Sequence, residues 1–209
     1  RPGASMISEE EEIQRVSPAI EAISKAFPNI LISIDTFQSK VAEAAIAIGA
    51  KMINDISCGS FDPTILDMVS KYNTSYIGMH ITGTKETMHE VLKRENIIQE
   101  LLLFFTQKKQ LFAQKGIHHW IIDPGFGFGK TIEENFTIIK ELNQLSSLEL
   151  PILVGVSRKS SIYKTLGITP EEALNGTTVV NTMALKNGAS ILRVHDVKDA
   201  KQAIRLMEL

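Results

Sequence analysis

Short apolar runs alternate with longer amphipathic stretches along this chain. Residues 30–34, Ile-Leu-Ile-Ser-Ile, predict a strand ending at Asp35-Thr36. Residues 39–48 have the alanine content and spacing of a helix, closed by Gly49, because glycine readily takes the left-handed conformation that stops a helix. The alternation then recurs. Strand 51–55 leads to helix 63–72, strand 75–80 to helix 94–115, and strand 119–123 to helix 131–145. Strand 151–156 leads to a helix pair over 160–166 and 170–186, and strand 190–194 to a closing helix over 199–208. Ahead of these units lies a helix over about residues 9–26, whose acidic start at 9–12 suits the positive end of its dipole.

The predicted strands are continuous apolar runs rather than alternating ones, as a sheet covered on both faces requires. Repeated βα units with such connections imply parallel strands and right-handed crossovers. Two architectures fit six units: an open doubly wound sheet, or part of an eight-unit barrel. The polar residues decide between them. Five of the six strands end in Asp35, Asn54-Asp55, His80, Asp123, and Arg193 with His195, and the other runs into Ser157-Arg158-Lys159-Ser160. Polar groups at the end of every strand make sense where those ends converge on one mouth, whereas an open sheet needs them only at its switch point. The expectation is an α/β fold, a (β/α)8 TIM barrel with six of eight strands present, as one domain over residues 1–209.

Composition narrows the possible partners. The chain has 209 residues, 44% hydrophobic and 22% charged, with a net charge of −2. That balance favours neither nucleic acid nor an anionic membrane, and the apolar runs are too short to span a bilayer. The single cysteine, Cys58, allows no intrachain disulfide and suits a reducing compartment. Three Asn-x-Ser/Thr sequons, at Asn73, Asn135 and Asn175, are expected to be accidental.

The segment with the most distinctive chemistry is Asp123-Pro124-Gly125-Phe126-Gly127-Phe128-Gly129-Lys130-Thr131, between a strand and a helix. A phosphate loop would need glycine where Pro124 stands, and proline offers no amide hydrogen. A different reading makes Asp123 the working group, with glycines letting the loop lie against a flat ligand. A carboxylate presents two acceptors to a guanidine-like ligand edge. Capping of the next helix by Asp123 is redundant, because Thr131 and Glu134 already form a capping box. Asp35 and Asn54 could read donors and acceptors of a polar heterocycle, although turn chemistry accounts for them equally well. Lys159, in the Ser157–Ser161 turn, can donate to a carbonyl oxygen, and the helix start after it favours an anion. Arg193 and His195, two residues apart on a strand, make a phosphate clamp. His80 and His89 lack a third ligand at suitable spacing for zinc.

Taken together, Arg1-Pro2-Gly3, Asp35-Thr36, Ile53-Asn54-Asp55, Met79-His80, Asp123 to Lys130, Ser157-Arg158-Lys159-Ser160 and Arg193-Val194-His195-Asp196 resemble the dihydropteroate synthases over the whole chain, in order. The resemblance implies condensation of 6-hydroxymethyl-7,8-dihydropterin pyrophosphate with p-aminobenzoate, releasing pyrophosphate, with Mg2+ as cofactor. It implies that Asp35, Asn54, Met79, Asp123 and Lys159 bind the pterin. Pro2, Phe128, Lys159 and Ser160 would serve p-aminobenzoate, and Arg1, Arg193 and His195 the pyrophosphate. Lys159, Arg193, His195 and Asp123 would carry the catalysis. Sulfonamide inhibition, a homodimer and a cytoplasmic location follow from the same likeness.

The family's first strands, an Asn metal ligand in the loop that follows, and a Glu-Ser-Thr before Arg1 are expected upstream of this sequence. No metal ligand is expected within it, and this sequence by itself is expected not to be fully active. Lys85 stands where the family often has proline, in a loop away from the chemistry. Two alternatives share the pterin pocket: a methyltetrahydrofolate-dependent methyltransferase, which needs neither the Ser160 carboxylate site nor the Arg193–His195 clamp, and a non-catalytic pterin-binding paralogue.

Overall fold

The computed structural model describes residues 7–209 except His89, Leu92 and Lys93. The chain forms two compact units. One runs through Met79 and takes in Lys108–Trp120, and the other comprises His80–Gln107 and Ile121–Leu209.

The first unit opens with α1 (Glu9–Ala26), capped by Ser8, whose hydroxyl accepts from the Glu11 amide at 3.2 Å. Then come β1 (Ser33–Asp35), α2 (Ser39–Ala47), β2 (Met52–Asp55), α3 (Thr64–Tyr72) and β3 (Ser75–Met79). The strands are parallel, with Asp35 opposite Asn54 and Asp55 opposite Gly78. The register therefore places the polar ends of β1 and β2 side by side. Ile53, Tyr76 and Ile77 are buried, as are Val41, Ala42 and Ala45 of α2 and Ile65, Leu66 and Val69 of α3. Gly49 has φ +126°, and a Cβ there would collide with the Ser24 hydroxyl, so it both ends α2 and lets α1 lie close. Strand β1 is shorter than the apolar run predicts. Ile30 and Leu31 are 52% and 75% exposed, and strand pairing begins only where the Ile32 carbonyl accepts from Lys51 and Met52.

Helix α4 (Ile97–Gln114) and strand β4 (Trp120–Asp123) each contribute residues to both units. The second unit continues with α5 (Ile132–Lys140), a 3₁₀ helix Leu142–Leu148, β5 (Leu153–Val154), α6 (Ser160–Leu166), α7 (Leu174–Lys186), β6 (Ile191–Leu192) and α8 (Val197–Met207). β5 pairs in parallel with β6, and Ile122 of β4 bridges Ile152. The apolar run at 131–145 divides into an α-helix and a 3₁₀ turn, and it still buries Ile138, Ile139, Leu142 and Leu145. Helix α7 starts at Leu174 rather than 170, because residues 170–173 form a turn closed by the Ala173 amide on the Pro170 carbonyl. No described helix is long and apolar enough to cross a membrane.

Candidate active site

In the first unit, Asp35 lies in register with Asn54, and Asn54 is buried. The next residue, Asp55, is fully buried and organises the loop that follows β2. Its Oδ1 accepts from the Ser57 amide and hydroxyl, both at 2.7 Å. Its Oδ2 accepts from the Gly59 amide at 2.7 Å and the Tyr76 hydroxyl at 2.6 Å. Four donors to one carboxylate fix the backbone directly after Asn54. Met79, at the end of β3, is buried at 1% exposure.

In the second unit, Asp123 ends β4 with Oδ1 accepting the Gly125 amide at 2.8 Å and Oδ2 accepting from Arg193 at 3.1 Å. Each carboxylate oxygen keeps capacity for a second donor. Gly125 (φ +72°) cannot be replaced cheaply, since a Cβ would collide with the His80 carbonyl oxygen. Lys130 is buried, and its Nζ donates to the Gly125 and Phe128 carbonyls at 3.0 and 3.1 Å. Burial pushes its ammonium pKa down to about 7. The predicted capping box of Thr131 and Glu134 is present at the end of the loop.

Lys159 donates from Nζ to the Phe126 carbonyl and stands 4.7 Å from the centre of the Phe128 ring. Burial is the main cause that lowers its ammonium pKa to about 8. Ser160 begins α6, with Lys159 as its N-cap residue. Arg193 crosses the face of Gly155, where a Cβ would stand 3.1 Å from the guanidinium. His195 sets Nδ1 3.0 Å from the Ser157 hydroxyl, which also accepts the His195 amide at 3.2 Å. Asp123, Lys159, Phe128 and Arg193 are therefore linked through one loop and its neighbours, while His195 is anchored separately. Arg1 and Pro2 lie outside the described residues, as does His89.

His80 is a core histidine. Burial lowers its pKa to about 4, and the neutral ring donates from Nε2 to Glu100 at 3.2 Å. Glu100 is held at about 2, chiefly by that hydrogen bond. The edge of Phe104 packs on the His80 ring at 4.8 Å. Among the described residues no three His, Cys, Asp or Glu side chains could hold a metal ion.

Three contributors escape a reading of sequence alone. Arg158, which looks like a basic surface turn, has φ +52° and donates to both Asp196 carboxylate oxygens at 2.8 and 3.1 Å and to the Pro170 carbonyl at 2.9 Å. Asp55 hides beside Asn54. Asn135, which sequence presents as a sequon, is buried at 1% exposure, with its amide fully engaged. Its only sequence signal is a polar residue on the apolar stripe of α5, between Thr131 and Ile138–Ile139.

A family model described as pterin binding enzyme matches residues 1–195. The dihydropteroate synthase of Escherichia coli (strain K12) is 38% identical over 210 residues, covering all of this chain and 74% of that protein. The Synechocystis dihydropteroate synthase is 39% identical over 211 residues, covering 100% of this chain and 73% of that protein. Among solved structures, the Yersinia pestis dihydropteroate synthase with a sulfonamide drug complex has a TM-score of 0.94 at 34% identity, covering 100% of this chain and 76% of that one. The Xanthomonas albilineans enzyme in complex with 7,8-dihydropteroate has a TM-score of 0.90 at 32% identity, covering 98% and 77%. The fold is that of these enzymes, a (β/α)8 barrel to which this chain contributes six strands. With likeness in sequence and structure running through the same stretches as Asp123–Lys130, Ser157–Ser160 and Arg193–Asp196, this chain belongs to the pterin-binding enzymes, and within them to the dihydropteroate synthases.

Proposed function

We propose that the protein joins 6-hydroxymethyl-7,8-dihydropterin pyrophosphate to p-aminobenzoate, using the residues of this chain as follows. The aniline nitrogen forms a bond to the pterin methylene carbon. The carbon–oxygen bond to pyrophosphate breaks with its electron pair on the leaving oxygen, and the nitrogen gives up one proton. The pterin ring can release electrons to that carbon, so the protein's work is positioning and stabilisation of the departing anion.

The observation that carries this reading is the grouping of Asp123, Arg193 and the Lys159–Phe126–Phe128 contacts around one loop. Asp123 accepts from the guanidine-like edge of the pterin, which suits a carboxylate whose two oxygens each keep capacity for a second donor. Lys159 donates to the pterin and, over Phe128, lines the p-aminobenzoate side, with Ser160 receiving the benzoate carboxylate. Arg193 has five N–H donors in a fixed fork, so pairing with Asp123 leaves it able to meet pyrophosphate oxygens as well. The Ser157 hydroxyl on His195 Nδ1 orients the ring for the same anion. The pterin roles given to Asp35, Asn54 and Met79 belong to the same proposal.

Magnesium, which the resemblance implies, finds no group of three His, Cys, Asp or Glu side chains to hold it among the described residues. The Yersinia and Xanthomonas enzymes are in complex with a sulfonamide drug, 4-aminobenzoic acid and 7,8-dihydropteroate in their structures. Sulfonamides are accordingly proposed as competitors at the p-aminobenzoate position here. A homodimer is proposed through α8, whose Val197 and Leu206 are exposed apolar residues. A cytoplasmic setting is proposed from the family likeness, with which the free thiol of Cys58 is consistent.

The test is product formation by the full-length protein and its Lys159→Ala and Arg193→Ala variants. Dihydropteroate formed by the parent protein and lost in both variants supports the assignment. Unchanged turnover in either folded variant removes that residue from the catalytic set.

A further inference from the structure

We propose that Asn135, a buried residue of α5 that contacts no substrate in this account, is the positioning residue that fixes the Lys159 ammonium. The proposal rests on the role given to Lys159 above. Its basis is a single peptide group, the one linking Phe126 to Gly127. The amide hydrogen of that group is donated to Asn135 Oδ1 at 2.6 Å, and its carbonyl oxygen accepts from Lys159 Nζ. The two side chains therefore hold opposite ends of the same peptide plane.

A peptide held at its N–H cannot rotate to withdraw its carbonyl, so the Asn135 bond dictates where the Lys159 acceptor sits. Hydrogen bonds in series also polarise one another, which makes a carbonyl with an engaged N–H the better acceptor for an ammonium. Asn135 controls the other partner too. Its Nδ2 donates to the Ser161 hydroxyl at 3.0 Å and to the Thr131 carbonyl at 2.8 Å. Ser161 lies two residues after Lys159, in the first turn of α6. One amide thus ties together the glycine loop, the start of α5 and the helix that follows Lys159.

The surroundings leave little slack. Asn135 and Ser161 are 1% and 3% exposed. Gly127 has φ +84°, and a Cβ there would stand 3.0 Å from Lys159 Cδ, so the lysine stem lies directly over the peptide that Asn135 holds.

The experiment is a double-mutant cycle on pterin pyrophosphate affinity in the full-length protein, with Asn135→Ala, Lys159→Met and the double variant, each checked for cooperative unfolding. Asn135→Ala is expected to weaken binding roughly tenfold, the scale of a lost hydrogen bond to a charged group. In the Lys159→Met background the same change is expected to cost less than about twofold, because coupled residues are non-additive. An equal loss in both backgrounds overturns the proposal, since a purely structural role would act without Lys159. Parent-like affinity in Asn135→Ala beside a collapse in Lys159→Met also overturns it, while leaving the role of Lys159 intact. Parent-like affinity and turnover in Lys159→Met would instead refute the underlying functional reading. Should Asn135→Ala fail to fold, Asn135→Asp keeps the acceptor for the Gly127 amide. Having lost both Nδ2 donors, it is expected to weaken binding by less than about tenfold in the parent background and by less than about twofold in Lys159→Met, and an equal loss in both backgrounds overturns the proposal.

Discussion

Replacing Asp55 by asparagine leaves the shape of the side chain almost unchanged and removes half of its function. In the native loop each carboxylate oxygen accepts two donors, the Ser57 amide and hydroxyl on one side and the Gly59 amide and Tyr76 hydroxyl on the other. An asparagine must turn its NH2 toward one of these pairs. The hydroxyl of that pair can rotate to accept, but the backbone N–H cannot, so one buried amide always confronts another donor. An orphaned buried donor costs about 1–3 kcal/mol, and the bonds that survive lose their charge assistance, so the total is about 3–4 kcal/mol. For a chain of this length that lowers Tm by roughly 6–15 °C. Tyr76→Phe is the control, because it removes one donor and orphans none, and it should cost about 1–2 kcal/mol. Differential scanning calorimetry reads both variants. A fall of less than about 3 °C for Asp55→Asn, or an equal fall for Tyr76→Phe, would refute the claim that this carboxylate anchors the loop after Asn54.

The other predictions concern the second unit. Gly125→Ala drives a methyl group into the His80 carbonyl at a positive φ, and it should abolish turnover and lower Tm together; calorimetry alongside an activity assay reads both. The Lys159 ammonium titrates at about 8 in the folded chain instead of the ordinary 10.5. Between those values the unfolded chain binds the extra proton, so this group makes stability rise with pH across that window, while its full penalty applies below 8. Pterin affinity should move the opposite way, weakening as pH rises through about 8, and that limb should vanish in Lys159→Met when binding is followed by calorimetry. Arg158→Lys keeps a positive charge but loses the fork that meets both Asp196 oxygens. It should raise KM for both substrates, because the turn that it holds carries Lys159 and Ser160, as steady-state kinetics will register.

The repeating units and the polar strand ends were legible in the sequence because both follow from spacing. Asp123, Lys159, Arg193 and His195 could be found as polar residues where an apolar run stops. Strand limits were less legible, since Ile30 and Leu31 are as apolar as Ile34 yet have no pairing partner on the backbone before Ile32. Residues that act through backbone groups could not be read at all. Asn135 holds the Gly127 peptide 8 residues back and the Ser161 hydroxyl 26 residues on, and Arg158 holds a carboxylate 38 residues away. Periodicity carries no trace of such contacts. A buried asparagine and a solvated one look alike until the peptide it holds is in view.

The central claim is that the protein is a synthase that couples pyrophosphate departure to p-aminobenzoate. It is tested most directly by pyrophosphate release from the full-length protein supplied with pterin pyrophosphate and magnesium, with and without p-aminobenzoate. Release that rises with p-aminobenzoate and matches dihydropteroate formed mole for mole is the predicted result. A folded protein that binds the pterin but releases no pyrophosphate on addition of p-aminobenzoate would contradict the account.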